Sequence, residues 1–407
     1  MMMTCRYRMI LAVGFVFIVV LPFVQKATKV FPDTSLSGRE KHVPKPELSL
    51  RSLWSGDAAR QFEAYFSRKV GFRGTVVKTI NQLNFSLLGK VTGNMGTPIV
   101  PGENYWLYEY EYVRHYTRGY GLNDEARGEF VSGLKRLQDA LEARGIAFVL
   151  VLSPSKPEIY PEHLPEPYRD RKDDVASKRA YSVTLPELSA AGVNVFDVHA
   201  LFERLKPTSE LLFARTGTHW NYYGSFLACR EMLQMLKEEQ GLSVVVPELD
   251  RVVHGQAIGT DTDLLDLLNL LWFGAPEEML VPYPEISIEP ATMTSRPNVL
   301  VVGDSFSFTL VDSLNFCRSV AEVDLLYYFK RHFRYPSEDV GGYYQIHPES
   351  ELGPIDYEAL DWNRVMLEKD LVILEINEIM LQGRGWWFIE HALKALEAET
   401  LQAAPSG

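Results

Sequence analysis

Two short stretches carry residue types suited to acyl-transfer chemistry. Asn298–Ser307 reads NVLVVGDSFS. Val299, Leu300, Val301 and Val302 form a short apolar run of the kind buried in a parallel sheet. Gly303 breaks it, and Asp304, Ser305, Phe306 and Ser307 stand where a loop opens into a helix. Open α/β sheets put their ligand crevice at the carboxyl ends of the strands. The Ser305 hydroxyl is therefore expected in a crevice, with its own backbone N–H available to a developing oxyanion. Gly-Asp-Ser alone also fits a plain tight turn whose Asp or Ser caps the next helix. The second stretch, Ala214–Gly224 (ARTGTHWNYYG), carries His219 ahead of an amphipathic run through Phe226, Leu227, Met232, Leu233 and Leu236. Thr216, Gly217 and Thr218 precede it without strand pattern, which puts His219 in a loop. Serine needs a base to attack a carbonyl, and histidine is the usual one near neutral pH. A lone histidine is otherwise a hydrogen-bonded structural residue.

At GDSFS and THWN the chain resembles the periplasmic alginate O-acetyltransferases of the AlgJ and AlgX kind. Their catalytic domain is a circularly permuted SGNH-hydrolase fold, a flavodoxin-like three-layer α/β arrangement. Ordinary SGNH enzymes carry the nucleophile early and the histidine late, whereas here His219 precedes Ser305. Four more stretches resemble the family in the right order: FEAYFSRKVGFRG (Phe62–Gly74), ENYWLYEYEY (Glu103–Tyr112), PSKPEIYPEHLP (Pro154–Pro165) and GTDTDLLDLL (Gly259–Leu268). The resemblance implies a Ser305–His219 ester mechanism and a secreted or cell-surface polysaccharide as acceptor. It also implies a membrane-bound O-acyltransferase as acetyl supplier. Transferase and acetyl esterase share this machinery, and a non-catalytic scaffold or polysaccharide-binding component of an export complex is the reading from another class.

The oxyanion candidates are the Ser305 backbone N–H and the side-chain amide of Asn377. Asn377 ends the run LVILEIN and falls where the resemblance places the third sequence block, although it equally reads as the cap of a helix beginning at Glu378. Gly341 or Gly342 could supply a further backbone donor. One departure stands out. The family's histidine block runs Asp-x-His, but this chain has Gly217 at the aspartate position. Either another carboxylate orients His219, or a Ser–His dyad suffices, or the site is degraded. Asp197 and Glu375, each near the end of an expected strand, are the candidate substitutes, and Asp304 reads as a structural cap.

The elements that must position these residues follow a β–α–β rhythm. A helix over Asn123–Arg144 has Asn123 as N-cap, Leu134, Leu137 and Leu141 on one face and Gly145 as stop. Strands are expected at Ile146–Leu152, Val193–Phe196, Val299–Val302, Val320–Leu326 and Leu371–Ile376, with a helix at Leu185–Ala191. About five strands with this rhythm make a doubly wound parallel sheet. Val244–Arg296 reads as a less regular insertion containing a leucine-rich piece, Leu264–Leu271, that serves packing. Trp386–Leu401 reads as a closing helix, and the extra carbohydrate-binding module of some members is not expected. The aromatic stretch Tyr105–Tyr120 suits either a sugar platform or a core.

Arg6 and Arg8 precede an apolar run, Met9–Val24. With about 16 residues against roughly 17–25 for a spanning helix, and no small-x-small cleavage site, it reads as an uncleaved signal anchor, with a cleaved export signal as the alternative. The expected organisation is an anchor at 1–25 and a linker with a helical segment at 26–100. The catalytic domain is then expected at 101–400, on the periplasmic side of the inner membrane. Within 26–100, Val76, Ile80, Leu83 and Leu87 recur at helical spacing and should pack on the main domain, with Arg68 and Arg73 as solvated charge.

The 407 residues carry a net charge of −12, which argues against a nucleic-acid partner. A hydrophobic content of 46% supplies a sizeable core. Three cysteines, Cys5, Cys229 and Cys317, show no metal-ligand spacing, so neither metal nor cofactor is expected. Cys5 lies before the apolar run, which leaves an exported domain at most one disulfide.

Overall fold

The computed structural model describes residues 2–38, 43–91, 98–169, 179–274, 279–287, 296–335 and 350–403. They form two compact units: Met1–Ile99 with Leu265–Gly274, and Val100–Leu264 with Ala275–Gly407. In chain order the strands are β1 (Ile99–Pro101), β2 (Leu107–Glu109), β3 (Ala147–Ser153), β4 (Val195–Asp197), β5 (Glu248–Gly255) and β6 (Val281–Ser287). They continue with β7 (Asn298–Gly303), β8 (Glu322–Tyr327), β9 (Arg331–Tyr335), β10 (Ser350–Pro354) and β11 (Leu371–Asn377).

The larger unit is organised by a seven-stranded sheet in the order β10-β9-β8-β7-β11-β3-β4. The five strands expected from sequence are the parallel ones, β8, β7, β11, β3 and β4. Two more strands, β9 and β10, extend one edge in antiparallel fashion. They escape a sequence reading because in RHFRY Phe333 and Tyr335 are buried and Arg331 is exposed, while His332 and Arg334 bond Asp324 of β8. The insertion holds a further antiparallel hairpin, β5–β6.

Alternation within each strand builds two cores. Val149, Val151, Val299, Val301 and Ile373 face one side with Phe226 and Leu310, from the helices Tyr222–Glu239 and Phe306–Phe316. Leu150, Leu152, Leu300, Val302 and Leu374 face the other with Leu134 and Leu137 of the helix Asp124–Glu142 and Phe388 of the helix Phe388–Ala403. Each fully buried leucine contributes about 1.5–3 kcal/mol, so both faces of the sheet are held. The result is the three-layer α/β sandwich expected of a parallel sheet with apolar strands. Asn123 caps its helix as expected, accepting from Ala126 N at 2.8 Å.

The chain winds outward from β3 to β4 and from β7 to β8, then returns through β11 between them. The carboxyl ends of β7, β11 and β3 thus meet where the winding direction reverses, the place at which such sheets bind ligands. The aromatic stretch is mostly core: Trp106, Tyr108, Tyr112 and Tyr116 are buried, and Tyr105 stays partly exposed. Cys229 and Cys317 are free, buried thiols that neighbour one another.

In the smaller unit a helix runs from Met2 to Thr28, and its stretch Tyr7–Thr28 is long and apolar enough to cross a membrane. The expected apolar stripe on the helix Arg73–Leu88 lies on the surface rather than in a core, with Val76, Ile80, Leu83 and Leu87 all more than half exposed.

Candidate active site

The turn after β7 depends on glycine. A Cβ on Gly303 would lie 2.8 Å from Ser307 Cβ and 2.9 Å from Glu375 Oε2, so only hydrogen fits against β11. Asp304 follows, fully buried, and its carboxylate accepts from Phe306 N at 3.0 Å and from Asn377 N at 2.8 Å. Asp304 therefore caps the turn and ties it to the end of β11. The Ser305 side chain makes no capping bond; it lies near the phenol of Tyr328. Tyr328 and its neighbour Phe329 hold φ of 49° and 51°, a left-handed backbone that costs non-glycine residues about 1–3 kcal/mol and clusters at functional sites. The pair is held there by Tyr328 N donating to Gly303 O at 2.8 Å and by Phe329 N donating to Leu326 O at 3.2 Å.

Each residue of THWN has an assigned place. Thr218 N donates to Asp263 Oδ1 at 2.7 Å, and His219 Nδ1 pairs with Asp263 Oδ2 at 2.6 Å. Trp220 Nε1 donates to Thr309 Oγ1, and Asn221 caps the following helix by accepting from Gly224 N at 2.7 Å. The His219 ring lies 4.8 Å from the ring of Phe306, the residue after Ser305. Its second nitrogen, Nε2, is buried without a hydrogen-bond partner among the described residues. Burial disfavours the imidazolium, but the Asp263 charge and hydrogen bond outweigh burial and raise the His219 pKa.

The carboxylate on His219 is thus Asp263, and neither candidate from sequence occupies that place. Asp197 accepts from Ala200 N at 3.1 Å and from Tyr181 OH at 2.8 Å, capping the helix after β4. Glu375 accepts from Ser153 Oγ at 2.6 Å and from Asp304 N at 3.2 Å inside the sheet. Burial and the neighbouring Asp304 carboxylate push the Glu375 pKa well above the usual carboxylate range. Of the two readings of Asn377, the structure supports the cap of the helix beginning at Glu378. Its Nδ2 donates to Ser153 Oγ at 3.2 Å and to Pro154 O at 3.1 Å, and its Oδ1 accepts from Ile379 N at 3.3 Å. Both amide protons are spent inside the protein, so Asn377 is a structural cap and offers none to an oxyanion. Gly341 and Gly342 lie outside the described residues.

A second residue missed from sequence is Lys156, in the PSKPEIY stretch. Its buried ammonium donates to Leu107 O, Arg215 O and Gly217 O, each at 2.8 Å, and lies 4.9 Å from the Trp106 ring. It fastens the loop before His219 to the ends of β2 and β3. The signal for both Lys156 and Asp263 is present, since each sits in a family-like stretch and carries charge within largely buried surroundings.

Gly217 explains why the usual aspartate is absent. A Cβ there would meet Thr260 O at 2.4 Å and Asp261 Cα at 3.1 Å. The segment bearing Asp263 occupies the space a side chain would need. Gly217→Asp should therefore displace that segment, costing about 1–3 kcal/mol of stability and lowering kcat/KM. Thermal unfolding together with ester hydrolysis checks this, and a gain in rate would contradict it.

An α/β sandwich with a serine after a central strand and an Asp-paired histidine beside it defines a serine acyl-transfer or hydrolase class of site. Residues 99–322 match the model of the SGNH hydrolase-like domain of the acetyltransferase AlgX, more than half of the chain, and the chain belongs to that family. It is 26% identical over 247 residues to a probable alginate O-acetylase AlgJ of Pseudomonas aeruginosa, covering 60% of this chain and 58% of that protein. It is 28% identical over 193 residues to the AlgJ of Pseudomonas syringae pv. tomato, covering 47% of this chain and 46% of that one. The chain thus spans about half to three-fifths of the length of these relatives. Among solved structures, the O-acetyltransferase domain of Pseudomonas putida AlgJ aligns with a TM-score of 0.41 at 20% identity, covering 70% of this chain and 92% of that one. AlgX of Pseudomonas aeruginosa aligns with a TM-score of 0.43 at 16% identity, covering 70% of this chain and 63% of that one.

Proposed function

We propose that the chain is an O-acetyltransferase that moves acetyl groups onto hydroxyls of an exported or cell-surface polysaccharide through an acyl-enzyme on Ser305. The observation that carries this reading is the polarity of His219: Nδ1 is fixed by Asp263 and Nε2 is left without a partner. A histidine so held is in the tautomer that accepts a proton at Nε2.

His219 Nε2 takes the Ser305 proton as Oγ attacks an acetyl carbonyl. The tetrahedral oxyanion is met by the Ser305 backbone N–H and by the Tyr328 phenol, whose pKa burial raises so that it stays a neutral donor. The intermediate collapses with His219 returning the proton to the leaving group. A sugar hydroxyl then attacks the acetyl-serine, losing its proton to His219, and the serine is restored as the new ester leaves.

The acetyl supplier is a membrane-bound O-acyltransferase, and the relatives' names suggest an alginate-like acceptor. The site faces the periplasm, tethered to the inner membrane by the helix Met2–Thr28. Water in place of the sugar would make the same machinery an acetyl esterase. The scaffold alternative loses its main support, because the carboxylate missing at position 217 is supplied by Asp263.

The test is incubation with a chromogenic acetyl ester, with and without a polysaccharide oligomer, followed by mass spectrometry of quenched enzyme and sugar. Acetyl on the Ser305 peptide and sugar-bound acetyl are expected. Acetate alone would indicate an esterase, and an unmodified Ser305 that also resists a fluorophosphonate would refute the enzymatic reading.

A further inference from the structure

The smaller unit differs in charge and surface from the rest of the chain. Met1–Ile99 holds 14 Lys and Arg against five Asp and Glu, although the whole chain is at −12. Among the described residues, nearly every exposed large apolar side chain also belongs to this unit, with only Tyr105, Leu280, Leu352 and Trp387 elsewhere. Three of them share one face of the short helix Leu50–Trp54: Leu50, Leu53 and Trp54 are 89%, 60% and 95% exposed. Apolar and basic surface together is the signature of contact with an anionic bilayer.

The same unit contains a cavity of about 330 Å³ at the carboxyl end of the apolar helix. Among the described residues, Lys26, Arg68, Lys69 and Arg73 line it, with Asp33 as the acidic one. Its walls are held by close backbone approaches. A Cβ on Gly71 would sit 2.4 Å from Pro22 O, and one on Gly74 only 1.9 Å from Thr34 O. The buried Gln25 amide donates to Phe31 O at 2.6 Å and accepts from Phe31 N at 3.2 Å, fixing the turn out of the helix. Phe72, between the two glycines, is held at φ 59°. Phe23 of the apolar helix packs on Phe66, 5.1 Å between ring centroids, and Phe66 stacks on Phe62.

We propose that this cavity binds the phosphate headgroup of an anionic phospholipid, while Leu50, Leu53 and Trp54 of the same unit enter the bilayer interface. The inference rests on the helix Met2–Thr28 spanning the membrane, because its end then lies at headgroup level, with Lys26 on the cavity wall. Cations around a headgroup-sized space give charge-assisted bonds to phosphate oxygens. An exposed tryptophan in the same unit suits the interfacial zone, where amphipathic rings concentrate.

The full chain, purified in detergent, should retain phosphatidylglycerol over phosphatidylcholine in native mass spectrometry. Arg68→Gln and Lys26→Gln should each reduce that preference roughly fivefold, with circular dichroism showing that the fold is kept. A nitroxide on Trp54→Cys in a Cys5→Ser background, in nanodiscs containing phosphatidylglycerol, should be reached by oxygen in preference to nickel chelate. The same label on Leu352→Cys should show the reverse. Equal retention of the two lipids overturns the proposal, as does an unchanged preference in both variants. Displacement of the lipid by inorganic phosphate would mark a free-anion site instead, and a water-exposed label at position 54 would remove the bilayer contact. Recovery of the whole chain from the soluble fraction would refute the spanning helix itself, and fractionation tells that failure apart from loss of lipid preference.

Discussion

Ser305→Ala, His219→Ala and the double variant are expected to lose activity to nearly the same extent, on the order of 10⁴–10⁶ in kcat. In the proposed mechanism the two residues perform one step: without the base the hydroxyl does not attack, and without the hydroxyl the base has nothing to deprotonate. Once either is gone, removing the other costs little more. Their surroundings make the comparison clean, because Asp304 rather than Ser305 caps the helix, and the fold does not draw on the serine hydroxyl for that bond. Steady-state hydrolysis of an acetyl ester, with circular dichroism as a check on folding, measures the cycle. Additive losses would show that the two act separately, and Ser305→Ala retaining more than a few per cent of the rate while folded would assign the nucleophile elsewhere.

Asp263→Asn should cost about 10⁴ in turnover, the effect of the equivalent change in a serine protease. The amide can hold the ring, but it selects the wrong tautomer and does not stabilise the imidazolium. The pH profile supplies a signature that simple misfolding would not. His219 must be neutral to act as base, so kcat/KM falls as pH drops through its raised pKa. Burial lowers that pKa, and the charge and hydrogen bond of Asp263 do most to raise it. In Asp263→Asn the opposing desolvation remains, the pKa falls, and the acid limb should move to lower pH while the plateau drops. Asp197→Asn and Glu375→Gln should leave that limb in place. A limb unmoved in Asp263→Asn would sink the assignment.

The proposed nucleophile and base stand out in the sequence because each sits in a local pattern, an apolar run broken by glycine and a polar turn before an amphipathic helix. Asp263 is not legible in the same way. It lies 44 residues from His219, and GTDTDLL offers Asp261 and Asp263 without saying which faces the ring. Only packing decides, and it buries Asp261 against Thr216 while turning Asp263 to the histidine. Asn377 resists a sequence reading for a similar reason. An amide at a strand end looks the same whether its protons face a ligand or Ser153 and Pro154. The parallel strands are readable from their apolar runs, whereas β9 mixes charge with aromatic residues and β10 holds a glycine and a proline, so neither shows a clean period.

The placement of Asp263 changes what the site's competence depends on. When acid and histidine are two residues apart, a fluctuation of their loop carries both together and leaves the pair intact. Here the pair exists only while two remote segments are closed on each other. Thr216 Oγ1 donates to Asp261 O, Leu264 N donates to Thr216 O, and Thr218 N donates to Asp263. The working fraction of molecules is therefore the fraction in which this zipper is shut, a local opening equilibrium that need not follow global unfolding. Opening of these contacts would withdraw the acid from His219, so the acid acts as a clutch rather than a fixed part of the engine.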